Sequence, residues 1–342
     1  SSAASDVYKR QPMNRLFSLL LASGISGAAF GQGTQLLRQP TLSQSDIVFV
    51  YANDLWKTSK SGGNAIRLTS NEGEESLPHF SPDGKFIAFT GEYDGNVDVY
   101  LIPAEGGEPQ RLTWHPGADL VTGWTPDGNQ ITFTSGRSGH ATQESKFFQI
   151  SKNGGMPEPM PIPRAVNGEI SPNGSHIAYQ QISFWDPEWR NHRGGQAKPI
   201  WIVDLKDFSL KMTPQTDNER HTDPVWLGNK VFYISERDYL ANIWSYDPAT
   251  GQEKQETFLK DFDIKSVDAN NTEIVYEQGG YLHLLNPQTG KSQQLNITVN
   301  GDFHWARERW INVSPNDLSN PQLSPTGQRA IFEFRGEIIT VP

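Results

Sequence analysis

Short runs of β-branched and aromatic residues recur along the chain, each entered through a polar turn of one kind. Ser81-Pro82-Asp83-Gly84 precedes Phe86-Ile87-Ala88-Phe89-Thr90, and Thr125-Pro126-Asp127-Gly128 precedes Ile131-Thr132-Phe133. Ser171-Pro172-Asn173-Gly174 precedes Ile177-Ala178-Tyr179, and Ser324-Pro325-Thr326-Gly327 precedes Ala330-Ile331-Phe332. Proline presets φ at the first corner of a β-turn, and Asp or Asn followed by Gly suits the next corner. An apolar anchor ends the strand before the turn, giving the series Leu42, Phe80, Trp124, Ile170, Trp226, Val267 and Leu323.

Each repeat divides into four strands. The anchor ends the first, and a run such as Ile47-Val48-Phe49-Val50-Tyr51 or Val231-Phe232-Tyr233-Ile234 forms the second. A Gly/Asn/Asp hairpin leads to the third: Asp98-Val99-Tyr100-Leu101-Ile102, Ile200-Trp201-Ile202-Val203 or Asn242-Ile243-Trp244-Ser245-Tyr246. The fourth is polar, as in Ile66-Arg67-Leu68-Thr69 and Gln110-Arg111-Leu112-Thr113. Four short strands per unit at near-even spacing predict an all-β fold, a β-propeller of four-stranded blades.

The spacing sets the number of blades. Leu68 to Phe80 and Leu112 to Trp124 are each 12 residues, whereas Leu295 to Leu323 is 28. Extra residues between repeats mark a linker between domains. The expectation is a six-bladed propeller over 36–300, a linker over 301–320, and the first strands of a second propeller over 321–342. Because Pro40-Thr41-Leu42-Ser43 already supplies an inner strand, the six repeats are expected to close by packing alone, with no strand borrowed from the far end. A last repeat that stops after its third strand reads as part of a longer protein.

At the N-terminus, Met13-Asn14-Arg15 is followed by Leu16-Phe17-Ser18-Leu19-Leu20-Leu21-Ala22 and by small residues up to Ala29-Phe30-Gly31. One positive charge, a short apolar run and an A-x-A-like exit describe a signal peptide over 13–31. Residues 1–12 read as an extraneous extension. Export to the periplasm follows as an expectation. The run is too short to span a bilayer.

Composition narrows the chemistry. The 342 residues carry a formal charge of −10, which argues against nucleic acid as a partner. With zero cysteines, disulfides, thiolate metal sites and cysteine nucleophiles are excluded. Ser81, Ser171 and Ser324 lack a G-x-S-x-G elbow and are read as turn residues. The eight histidines show no H-E-x-x-H or paired spacing, so neither a metal nor a cofactor is expected. Asp94-Gly95-Asn96-Val97-Asp98 resembles the start of a calcium loop but lacks its downstream ligands, and is read as a hairpin turn. No catalytic residue is assigned.

Two segments stand out as candidate contact regions. The insertion Trp185–Gly195 leaves blade four between its second and third strands, with Trp185, Trp189, Arg190, His192 and Arg193 as candidate interaction residues. Aromatic and arginine side chains on a protruding loop suit a binding surface. A loop folded back on the propeller is the blander reading, toward which the composition leans. Trp305, Arg307, Arg309 and Trp310 lie in the linker and are expected to dock the next domain.

The stretch Leu112-Thr113-Trp114-His115-Pro116-Gly117-Ala118-Asp119-Leu120-Val121-Thr122-Gly123-Trp124-Thr125-Pro126-Asp127-Gly128 resembles the second-to-third blade junction of tricorn-type serine peptidases. The insertion ending Arg193-Gly194-Gly195 before Ile200-Trp201 is similar to their fourth-blade loop. Leu323 to Ala330 and Arg335-Gly336-Glu337-Ile338 resemble the opening of their second propeller. The resemblance covers about 36–342. It implies a six-bladed propeller ahead of a seven-bladed one, then a PDZ-like module and a serine peptidase region whose catalytic residues lie beyond this chain. The implied role is a non-catalytic gating and scaffold module in proteolysis. Implied partners are those downstream domains, unfolded peptides and further copies of the chain. The Ser-Pro-Asp-Gly repeat is shared with the periplasmic Tol-type propeller, so a protein-binding module of the cell envelope is the alternative.

Overall fold

A computed structural model describes residues 33–137, 145–183, 191–303 and 312–342. The predicted signal peptide and the extension before it lie outside the described residues.

Six four-stranded antiparallel units follow one another. Blade 1 comprises Arg38–Leu42, Asp46–Tyr51, Asp54–Ser59 and Gly62–Arg67, and blade 2 comprises Glu75–Phe80, Phe86–Tyr93, Asn96–Pro103 and Gln110–Arg111. Blade 3 runs through Asp119–Trp124, Gln130–Ser135, Lys146–Ser151 and Glu158–Pro159; blade 4 through Asn167–Ile170, His176–Gln180, Trp201–Asp204 and Leu210–Met212. Blade 5 holds His221–Leu227, Lys230–Ser235, Asn242–Tyr246 and Glu253–Gln255, and blade 6 holds Ile264–Ala269, Ile274–Gln278, Tyr281–Asn286 and Lys291–Gln294. Each inner strand packs beside the next, and the inner strand of blade 6 returns to that of blade 1. The ring is closed, a six-bladed propeller.

Period-two alternation builds the core, because successive side chains of a strand point to opposite faces. Ile47 and Phe49 pack toward Val275, Leu282 and Leu284 of blade 6. Val48 and Val50, one residue out of phase, pack toward Ile87 and Phe89 of blade 2. Both faces of a blade are therefore buried, which is why its second strand is continuously apolar. Six apolar clusters result among the described residues, one at each blade junction.

Three expectations need correction. The anchor of blade 6 is Ala269, not Val267: Ala269 pairs with Ile274 as Trp226 pairs with Val231 and Phe80 with Ile87. Val267 is the larger apolar residue, but register, not size, sets equivalence. The fourth strand of blade 1 is Gly62–Arg67, starting earlier than Ile66. Closure also goes beyond packing alone. Ile297–Val299 adds a parallel strand to the outer edge of blade 1, Ile297 opposite Gly63 and Val299 opposite Ala65. Thr34 N donates to Ile297 O at 2.7 Å, and Val299 N donates to Thr34 Oγ1 at 2.9 Å. An edge strand leaves backbone groups unpaired, and the chain emerging from blade 6 is beside this one. A β-carbon on Gly62 would sit 2.6 Å from Asn296 O, so only glycine admits the added strand at this distance.

Further along the chain, Ser319–Leu323, Ala330–Phe334 and Glu337–Val341 form a separate three-stranded antiparallel sheet.

Candidate functional site in the axial cavity

The turns after the inner strands gather at one end of the ring, where they surround a cavity of about 400 Å³ to which all six blades contribute. The repeated turns hold its rim. Ser81 Oγ donates to Asp83 Oδ1 at 2.7 Å and accepts Phe86 N at 3.0 Å. Thr125 repeats the pattern with Asp127 and Gln130, and Ser171 with Asn173 and His176. Each hydroxyl is committed to its turn, which agrees with the turn reading of these serines.

The residues just before the anchors are Thr41, His79, Gly123, Glu169, Val225 and Asp268. All but Val225, which packs in the apolar cluster between blades 5 and 6, line the cavity wall. At three of the six junctions the residue before the anchor accepts the anchor amide of the next blade. Thr41 Oγ1 accepts Phe80 N at 3.1 Å, Glu169 Oε2 accepts Trp226 N at 2.7 Å, and Asp268 Oδ2 accepts Leu42 N at 2.8 Å. Thr41 Oγ1 donates to the same Asp268 oxygen at 2.8 Å. The indoles add two more stitches: Trp124 Nε1 donates to His79 O and Trp226 Nε1 to Glu169 O, each at 3.0 Å. The closing junction, blade 6 to blade 1, is thus held by a carboxylate that accepts two hydrogen bonds.

Burial controls the protonation of these groups. Glu169 opens onto the cavity, yet the cavity lies deep among the blades. Desolvation and then the nearby Asp268 charge push its carboxyl up to about 8. Asp268 is raised to about 6 by burial, against the hydrogen bonds from Thr41 and Leu42. Burial lowers His79 to about 4, so its ring is neutral at pH 7, with Nδ1 4.0 Å from Asp268 Oδ1. No group of His, Asp or Glu able to hold a metal ion occurs among the described residues.

Of the predicted interaction residues, Trp185, Trp189 and Arg190 lie outside the described residues, as do Trp305, Arg307, Arg309 and Trp310 of the linker. His192 and Arg193 are described and lie away from the cavity. Arg193 Nη2 donates to Glu236 O at 2.8 Å, and its guanidinium sits 4.6 Å from the Tyr239 ring centre. That end of the insertion is folded onto blade 5. Just before those undescribed residues, the ring of Phe303 packs on Tyr51 and Trp56 of blade 1 at 5.8 and 6.0 Å between centroids. Sequence reasoning missed Glu169, Asp268 and His79. The signal that finds them is position: each stands one residue before an anchor.

A family model described as the tricorn protease N-terminal beta propeller domain matches residues 34–291. The tricorn protease of Thermoplasma acidophilum is 25% identical over 312 residues, which cover 88% of this chain and 28% of that protein. A crystal structure of the tricorn protease superposes with a TM-score of 0.74 at 23% identity, covering 90% of this chain and 30% of that one. TolB from Acinetobacter baumannii superposes with a TM-score of 0.51 at 21% identity, covering 64% and 53% of the respective chains. The chain thus spans under a third of the length of the tricorn protease it matches.

Proposed function

The chain belongs to the family of tricorn protease N-terminal β-propeller domains, and on that premise we propose that it is the non-catalytic gating and scaffold module of a longer tricorn-like serine peptidase. The observation that carries this reading is the closed six-bladed ring around an axial cavity lined by all six blades. A ring whose junctions are stitched by hydrogen bonds and packed apolar clusters resists opening, so it excludes folded proteins sterically and passes extended peptides without any bond-making group of its own. Downstream domains of the same protein supply the chemistry. The signal-like segment 13–31 supports export to the periplasm. Likeness to TolB extends to the fold alone and lends no weight to envelope docking.

The absence of cysteine makes a direct test simple. Gln44 is exposed at the cavity rim. In the full-length protein, Gln44→Cys labelled with a bulky maleimide is expected to slow hydrolysis of long unfolded peptides several-fold, while the unlabelled variant hydrolyses them normally. Equal rates before and after labelling would remove the gating role.

A further inference from the structure

Most interior acids of the propeller meet an arginine, and those inside the axial cavity do not. Asp54 is paired with Arg67 at 2.7 Å, Asp98 with Arg111 at 2.5 Å, and Glu219 with Arg237 at 2.9 Å. Asp119 is paired with Arg137, and Glu236 with Arg220. Glu75 has no arginine at bonding distance but is bound by the hydroxyls of Tyr93 and Thr69. In the axial cavity, Glu169 and Asp268 are joined by no lysine or arginine among the lining residues, whereas the rim residue Asp83 is paired outward with Lys85 at 3.5 Å. His79, the remaining titratable group facing them, is neutral there. Glu169 Oε1 has no hydrogen-bond partner among the described residues.

A second cavity of about 410 Å³, between blades 4, 5 and 6, offers a contrast. Its acids Asp223, Glu236 and Asp263 share the lining with Arg220 and Lys265. A cavity of similar size thus carries cations beside its acids, whereas the axial cavity carries none. Its walls also include the indoles of Trp124 and Trp226, whose Nε1 atoms are already committed to backbone carbonyls. Aromatic faces and carboxyl oxygens together suit an organic cation.

We propose that the axial cavity is a binding site for the cationic group of a peptide, an ammonium or guanidinium seated between Glu169 and Asp268. The two carboxyls come from blades 4 and 6, so a cation seated between them supplies the counter-charge that no side chain of the lining provides and releases the proton that burial holds on Glu169. Lysine and arginine side chains and a free amino terminus share this chemistry. The site deepens the gating reading: it gives the passage a preference for positively charged segments.

Calorimetric titration of the 342-residue chain with three tripeptide probes tests this. The first is acetylated, amidated and carries one lysine; the second replaces that lysine with norleucine; the third is an alanine tripeptide amide with a free amino terminus. The lysine peptide is expected to bind at least tenfold more tightly than the norleucine peptide, and Glu169→Gln is expected to remove most of that difference. Binding by the free-amine peptide assigns the site to amino termini as well; its absence confines the site to side chains. In the unaltered chain, affinity for the lysine peptide should rise between pH 6 and pH 9 with proton release on binding, a readout that needs no variant. Equal affinity for lysine and norleucine peptides, or affinity independent of pH, would overturn the site. Plugging experiments on the full-length protein report on gating separately, because a passage without charge preference still closes when labelled.

Discussion

Blade 2 and the last repeat carry the same turn and differ in everything around it. Gly84 N donates to Ser81 O at 2.8 Å, and Gly327 N to Ser324 O at 2.8 Å. Phe86 N meets Ser81 Oγ at 3.0 Å, and Arg329 N meets Ser324 Oγ at 3.2 Å. The glycines adopt φ of 70° and 69°. Yet Ala88 is fully buried, whereas its counterpart Ile331 is 40% exposed, and the anchor Leu323 is 74% exposed. The turn forms wherever its four residues occur; the core forms only where a neighbouring blade covers the strand.

The largest effect expected from this contrast is in packing. Phe89, fully buried between blades 1 and 2, should lose about 3–5 kcal/mol of stability on Phe89→Ala. Ile331→Ala, in the last repeat, should stay within about 0.5 kcal/mol of the parent. Urea unfolding of the two variants checks this, and equal losses would show that the last sheet is covered as well as a blade.

A second difference lies in the residue before the anchor. Glu169 is enclosed by the ring, while Gln322 in the last repeat is exposed. A carboxyl raised from 4.5 to about 8 holds a proton in the folded state that the unfolded chain releases. Stability should therefore fall as pH rises from about 4.5 to 8, because the folded state binds more protons there. Asp268 adds the same trend up to about pH 6. Urea midpoints recorded from pH 5 to pH 9 should decline, and Glu169→Gln should flatten the upper part of that slope. A flat profile in the parent chain would mean that the cavity is hydrated well enough to ionise Glu169 normally.

The smallest effect is also the one most alike in the two regions. Ser81→Ala and Ser324→Ala each remove a turn acceptor with a net worth of about 0.5–1.5 kcal/mol. Hydrogen exchange at the amides of Phe86 and Arg329 should quicken by similar factors. A large disparity would show that the ring, and not the turn, holds Ser81 in place.

These contrasts also explain how far the chain could be read in advance. The strand content, the Ser-Pro-Asp-Gly turns and the blade pattern were legible because each depends on residues close in sequence. Asp94-Gly95 was legible as a hairpin turn, with φ of 56° and 77° between the paired residues Tyr93 and Asn96. The cavity was not, because Glu169, Asp268 and Thr41 belong to three blades and look like ordinary strand residues one at a time. Thr41 and Asp268 are 227 positions apart yet share a hydrogen bond. The parallel strand Ile297–Val299 escaped for the same reason: its partner, Gly62–Arg67, lies at the other end of the propeller.

Sequence alone determined the repeating unit, its turns and the alternation that buries both faces of a blade, since those follow from local dihedral preferences and the period-two geometry of strands. Tertiary structure decided which anchor is equivalent to which, how blade 6 meets blade 1, and which carboxyls are enclosed without a counter-charge. Desolvation and ring closure arise only when distant segments share one space, so no local pattern records them.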